Sequence, residues 1–288
     1  MIPRRRVWPV LAGLLLVFGL CATAAARPPF DVKAMTYNLR CASCDAPDSP
    51  QHWSQRRLLV AALIRRHRPD VLAVQEAERA QLEDLVGLLG EYAWTGVGRD
   101  DGEDRGEITA ILYREARFAL ESAATRWLSE TPGRVSRGWD AALPRTLGMA
   151  TLREVDSGRR LRVFNAHFDH QGERARLESS HLVLREIAAA GASSPVLLLG
   201  DFNFTASSEG YAVLAADLRD AEAASLSPPQ GGSETLNGFG RFDGRGPKID
   251  FVFVDAAARV RRHRIDRGEA SQRDASDHHP IIVEVDWP

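Results

Sequence analysis

The residues of this 288-residue chain that could do chemistry stand at the ends of short apolar runs. Asn38 follows Thr36-Tyr37, Gln75-Glu76 follows Val74, and His167 follows Asn165-Ala166. Further on come Gly200-Asp201-Phe202-Asn203, Ile249-Asp250 and Ser276-Asp277-His278. A strand that ends in a carboxylate, amide or imidazole delivers that group to a sheet edge, where several such ends can converge. Together these groups would hold one hard cation and leave others free for proton transfer. Oxygen donors of this kind suit Mg2+, with Mn2+ or Ca2+ as alternatives, rather than a thiolate-seeking metal. Each residue also has a plainer role: Asn38 and Asp201 as turn formers, Glu76 as a helix cap, His167 and His278 as hydrogen-bonded core histidines.

The elements that must position these groups alternate along the chain. Strand patterns cover 32–38, 71–75, 108–113, 118–127, 147–153, 161–165, 196–199, 249–254 and 281–285. Helical periods cover 54–66, 80–89 and 173–190, the first stopped by Pro69, the second by Gly90. The third is expected to bury Leu177, His181, Leu184 and Ala188. The run at 196–199 is wholly apolar, as in a sheet covered on both faces, and 249–254 and 281–285 repeat that signature around Asp250 and Glu284. Two long Gly-, Pro- and Ser-rich stretches, 129–144 and 225–247, have the length at which loops are usually functional. No repeat of 20–50 residues is visible. The pattern predicts one layered α/β domain over 29–288, with helices outside two packed β-sheets.

In order, Thr36-Tyr37-Asn38-Leu39-Arg40, Gln75-Glu76, Gly106-Glu107-Ile108, Asn165-Ala166-His167, Gly200-Asp201-Phe202-Asn203, Ile249-Asp250-Phe251 and Ser276-Asp277-His278-His279-Pro280 resemble the motifs of the endonuclease/exonuclease/phosphatase superfamily. Seven motifs in order across nearly the whole chain are far more specific than any one. The resemblance implies a four-layered α/β sandwich and metal-dependent cleavage of a phosphate ester. It implies that Glu76 is the principal metal ligand, with Asn38 and Asp277 helping to bind the metal or its waters. Asp201 and Asn203 match the pair that orients the attacking water and contacts the phosphate. His278 resembles an imidazole held by Asp250, and His167 a second one with Glu107 as its partner. Each such pair is expected within 2.6–3.2 Å, or somewhat looser without ligand. Outside the motifs, Arg145 behind Pro144 is a candidate grip on a second phosphate oxygen. Trp127, Trp139 and Phe239 are candidates to stack on substrate or to cover the sandwich edge. His170 and His279 are expected to be structural or solvent-facing, and His52, His67 and His263 to lie on the surface.

Composition narrows the partner. Lys plus Arg is 37 and Asp plus Glu is 39, for a net charge of -2. Arg4, Arg5 and Arg6 are the only charged residues of the first 26, so 34 cations against 39 anions, or -5, would follow their loss. That balance gives no support to extended duplex binding by bulk charge. Those arginines, the apolar run to Cys21 and the Ala22-Thr23-Ala24-Ala25-Ala26 stretch read as a signal peptide over 1–26. Pro9, Gly13 and Gly19 weaken the competing reading as an anchor helix. The protein is expected to be exported, periplasmic or extracellular, with no transmembrane span after cleavage and no obligate protein partner. Cys41-Ala-Ser-Cys44, the cysteines left after cleavage, is expected to form a local disulfide. The sequence resembles the exported bacterial branch of the superfamily. It favours a nuclease-like phosphodiesterase acting on nucleic acid or a small phosphodiester. The alternative is a phosphomonoesterase acting on a sugar or lipid-headgroup phosphate, and intact motifs disfavour an inactive binding module.

Overall fold

A computed structural model describes residues 29–191, 194–268 and 275–288. The expected signal peptide lies outside the described residues. The chain begins with β1 (Phe30–Asn38), α1 (Trp53–His67), β2 (Val71–Ala77), α2 (Arg79–Leu89), β3 (Tyr92–Thr95), β4 (Ile108–Arg114) and β5 (Phe118–Trp127). It continues through β6 (Thr146–Glu154), β7 (Arg160–His167), α3 (Glu173–Ala189), β8 (Val196–Asp201), α4 (Glu209–Asp217) and β9 (Arg219–Asp220). It closes with β10 (Asp250–Val254), β11 (Arg259–Ile265) and β12 (Ile281–Trp287). Two six-stranded sheets result, in the orders β11-β12-β1-β2-β4-β3 and β5-β6-β7-β8-β10-β9.

Period-2 alternation decides which face each strand shows. Val32, Ala34, Val71, Ala73 and Ile111 of the first sheet meet Leu152, Val163, Leu197, Leu199 and Val252 of the second between the sheets. The intervening residues turn outward. Met35, Leu72 and Val74 pack under Val60, Leu63 and Leu85 of α1 and α2. Phe164, Leu198, Phe251 and Phe253 pack under Leu182, Val183 and Leu214 of α3 and α4. The result is the four-layered sandwich, with helices outside both sheets.

Each sheet is built around one parallel pair, β1–β2 and β7–β8. Parallel neighbours need a crossover, and α1 and α3 supply it. The carboxyl ends of the four strands therefore carry Asn38, Glu76, His167 and Asp201, the natural ligand edge of such units.

Several expectations need correction. The buried face of α3 holds Ala175, Ser179, Leu182 and Val183, while His181 is exposed. Leu177 and Leu184 are only half-buried, because the helix is rotated relative to the face drawn from its aliphatic residues. β11 was not expected: Arg259-Val-Arg-Arg-His-Arg-Ile265 reads as basic, yet it is an edge strand whose arginines face out. That burial also overturns the surface reading of His263, which is 1% exposed. His52 caps α1, accepting from Ser54 N–H, and His67 lies 2.5 Å from Asp266. Cys41 and Cys44 form a disulfide.

Candidate active site

Glu76 projects from a β-bulge between Val74 and Ala77, where its φ is +60°. A bulge re-aims a side chain that the regular pleat would have sent elsewhere. Arg40, Trp139 and Asn203 share that left-handed conformation, with φ of 56°, 48° and 51°. Such backbone strain persists only where the surroundings hold it, and it concentrates at functional sites. Gly200 is required on other grounds: a Cβ there would lie 2.1 Å from the Ala166 carbonyl oxygen.

A polar bridge between the sheets supports the strand ends. The Gln75 amide donates to Asn165 Oδ1 at 2.7 Å and to Thr36 Oγ1 at 3.1 Å. Asn165 Nδ2 donates to the carbonyls of Val74 and Ala110, each at 2.8 Å. Gln75 and Asn165 are fully buried. These motif residues therefore hold the two halves of the site in register without facing it.

Asp201 is the hub. Its Oδ2 accepts from Asn38 Nδ2 at 3.0 Å and lies 3.8 Å from the Nε2 atoms of both His167 and His278. Asn38 Nδ2 also donates to Glu76 Oε1 at 2.9 Å, so one amide ties two acids together. Asn38 turns its nitrogen to those acids, and its oxygen accepts from Arg40 N–H at 3.0 Å. Asn203 N–H donates to Asp201 Oδ1 at 3.0 Å, while its amide holds the Phe168 carbonyl. Asp250 Oδ2 lies 2.8 Å from His278 Nδ1, inside the expected range.

The second pair is looser. Glu107 Oε2 stands 3.5 Å from His167 Nδ1, because its carboxylate is taken by Arg99 at 2.5 Å. Arg145 Nη1 fills the space, 2.9 and 3.0 Å from the two ring nitrogens of His167. Arg145 is buried, not the ordinary surface arginine its loop position allows, and its other amine reaches His170 at 3.0 Å. Arg99 and Asp169 were missed. Asp169 accepts from the N–H groups of Leu143, Gln171 and Gly172 and so fastens the Arg145 loop. Trp139 is half-buried against the aromatic core, and Trp127 covers the sandwich edge, donating to the Arg99 carbonyl at 2.8 Å. Asp277 pairs with Arg40 at 3.3 Å.

Charge in this buried site is divided unevenly. Burial raises the Asp201 carboxyl above the usual carboxylate range, Asp250 adds to this, and His278, His167 and Asn38 only partly offset it. Burial works against a charged His278, yet Asp250 and then Asp201 outweigh it and lift that imidazole well above its ordinary value. His167 goes the other way, pushed down to about 3 by burial and by the Arg145 cation. One imidazole is therefore held as a cation between two acids, and the other is neutral.

The donor set fits a divalent cation. Ligand atoms of Glu76, His167 and Asp201 lie within 4.8 Å of one another, as do those of Asp201, Asp250 and His278. Asp277 belongs to neither group. Two acids gathered on one amide repel each other unless a cation lies between them.

A family model described as Endonuclease/Exonuclease/phosphatase family matches residues 35–278, an interval containing every group just described. The chain belongs to that family. Its members are hydrolases acting on phosphate esters and generally use a divalent metal. A crystal structure of a family protein from Bacteroides thetaiotaomicron is 32% identical, with a TM-score of 0.84, over 91% of this chain and 99% of that one. A mannosyl-6-phosphatase from the same organism is 33% identical, with a TM-score of 0.82, over 88% and 99% of the two chains. The uncharacterized protein L388 of Acanthamoeba polyphaga mimivirus is 29% identical over 160 residues, 52% of this chain and 59% of that protein. The chain thus spans little more than half of that curated relative. Among the described residues, no helix is long and apolar enough to cross a membrane.

Proposed function

We propose that this chain is an exported, divalent-metal-dependent phosphomonoesterase that removes phosphate from a sugar. The observation that carries the reading is the Glu76–Asn38–Asp201–His278–Asp250 chain of contacts at converging strand ends. The 33% identity to a mannosyl-6-phosphatase over 88% of the chain supports the monoester over the diester that sequence alone favours. Two guanidiniums flank the cluster, Arg40 beside Asp277 and the buried Arg145 beside His167. A terminal phosphate carries more charge than a diester and gains more from two cationic walls.

Glu76, with Asp277 nearby, is the residue that would hold the cation. When bound, such a cation withdraws charge from a phosphate oxygen and makes a coordinated water more acidic. Asp201, with its raised carboxyl, is the group that orients the attacking water and takes its proton. Asn203 N–H fixes the other oxygen of that carboxylate. His278, cationic and pinned by Asp250, presents Nε2–H to a phosphate oxygen. His167 is neutral and supports the phosphate through hydrogen bonding, with Arg145 behind it. The domain is assigned to 29–288 and the signal peptide to 1–26. Export is supported by the Arg4-Arg5-Arg6 and apolar leader pattern and by a disulfide suited to an oxidising compartment.

The deciding experiment is a panel with Mg2+, Mn2+ or Ca2+ on mannose 6-phosphate, p-nitrophenyl phosphate, bis-p-nitrophenyl phosphate and single- and double-stranded DNA. Turnover of the monoesters is expected. Cleavage of the diesters alone would return the assignment to a nuclease-like phosphodiesterase, and absence of all turnover would refute both.

A further inference from the structure

Arg56, near the start of α1, is 1% exposed, and every acceptor of its guanidinium is a backbone carbonyl. Nη1 donates to the Leu39 carbonyl at 2.9 Å and to the Ala275 carbonyl at 2.7 Å. Nη2 donates to the Arg40 carbonyl at 3.2 Å, and Nε to that of Gln51. The rings of Trp53 and Phe239 stand 5.7 and 5.6 Å from the guanidinium carbon and close it off from water. Phe239 does so from a left-handed backbone, with φ of 55°.

Two of the three segments joined in this way carry the site. Leu39 and Arg40 follow Asn38, and Arg40 N–H donates to the Asn38 oxygen at 3.0 Å. That bond leaves the Asn38 nitrogen for Glu76 and Asp201. Ala275 leads into Ser276, Asp277 and His278, and Ser276 Oγ donates to the Asn38 carbonyl at 2.7 Å. One side chain thus ties the turn after β1 to a segment 219 residues further along the chain than itself. Packing does not account for a cation here, because a buried apolar side chain would avoid the desolvation cost. What a guanidinium alone supplies is a rigid plane of N–H donors wide enough to reach several carbonyls at once. An ammonium is a compact point on a flexible stem and cannot span them.

We propose that Arg56 is a positioning residue for the reaction: its fork locks the Asn38–Arg40 turn to the Ala275–His278 segment and so sets the spacing of Asn38 and Glu76 from Asp277 and His278. The inference rests on the metal-dependent phosphoesterase reading. It is tested with Arg56→Ala and Arg56→Lys, by Mg2+ calorimetry and by kinetics on p-nitrophenyl phosphate well below each melting temperature. Leu63→Ala, about two turns further along α1, is the control for lost stability alone. In Arg56→Ala the displaced groups should lower kcat about a hundredfold with KM little changed, and weaken Mg2+ binding about tenfold. Millimolar guanidinium should restore much of both, whereas equal ammonium should not. Arg56→Lys keeps the charge but loses the fork, so it should stay impaired in both. Leu63→Ala should melt earlier yet keep kcat and Mg2+ affinity. Wild-type kcat and Mg2+ affinity in Arg56→Lys, or no rescue by guanidinium, would overturn the proposal. If Arg56→Ala does not fold, Arg56→Lys decides alone: impaired values support the fork and wild-type values refute it. If the parent protein hydrolyses no phosphate ester, yet its Mg2+ affinity falls in Arg56→Ala and returns with guanidinium, the clamp stands and the phosphatase reading fails. A parent that also binds no cation would sink both.

Discussion

Replacing Asp250 by Asn should separate this catalytic arrangement from its fold. The change keeps size and a hydrogen-bond acceptor opposite His278 Nδ1, now 2.8 Å from the carboxylate, but removes one buried negative charge. Opposite unit charges about 4 Å apart interact by about 4 kcal/mol at an effective dielectric near 20. The amide returns about 1 kcal/mol as a neutral hydrogen bond. A net loss of about 3 kcal/mol corresponds to a hundredfold or greater fall in rate. The same substitution also removes the charge that, after burial, does most to raise Asp201. Asp201 then becomes a weaker base, so the two effects act in one direction. The loss of this buried ion pair also lowers stability, partly offset by relief of the Asp250–Asp201 repulsion, so the variant should still fold with a reduced melting temperature. The assay is kcat on p-nitrophenyl phosphate at saturating Mg2+, beside a thermal unfolding curve. A variant with a wild-type melting curve and kcat within threefold of wild type would refute the role given to the Asp250–His278 pair.

Glu76→Gln should weaken Mg2+ or Mn2+ binding, read by calorimetry, at least tenfold while the melting temperature moves little; unchanged metal affinity would remove Glu76 from the ligand set. Asn165→Ala leaves the Val74 and Ala110 carbonyls and the Gln75 amide without their partner, so chemical denaturation should show a loss of about 3–5 kcal/mol. His263 is held down to about 4 by burial and by Lys248, against 6.5 when unfolded. Its neutral form stabilises the fold fully above pH 6.5, and that contribution fades as pH falls toward 4. Between pH 7.5 and 5 the loss is about 2 kcal/mol, and His263→Leu should flatten that part of the stability–pH curve. Mass spectrometry of secreted protein should find a start near Arg27 or Ala25, whereas an intact Met1 in a membrane pellet would favour an anchor.

What the sequence made legible follows from how local each signal is. The apolar 196–199 run of β8 could be read because its pattern and its burial coincide. β11 could not, because an edge strand with outward arginines has the composition of a solvated loop. α4 was missed for a related reason: its Ser208 cap is clear, but only Gly210 and Leu214 are buried, too few to set a period. At the site, Glu76, Asp201, Asp250 and His278 stand in motifs and converge. Arg99 and Asp169 have no motif, and their contacts span folded loops that only tertiary structure brings together.

The distinction between motif and role matters most for Gln75 and Asn165. Both lie inside motifs, next to residues that face the site, and both turn instead into the space between the sheets. Alternation puts Asn165 on the same inner face as Val163 and His167, one step deeper along β7 than the site edge. Glu76 escapes the alternation only through its bulge and positive φ. One half of the site, Asn38 and Glu76, rides on the first sheet, and the other half, His167, Asp201 and Asp250, rides on the second. Neither sheet alone can assemble the cluster, and apolar packing between the sheets is too permissive to fix register to within a hydrogen bond. The directional Gln75–Asn165 contact supplies that precision, reinforced by Thr109 and Thr146, whose hydroxyls meet at 2.9 Å across the same gap. Residues that touch no phosphate are therefore as necessary to the site's geometry as those that do.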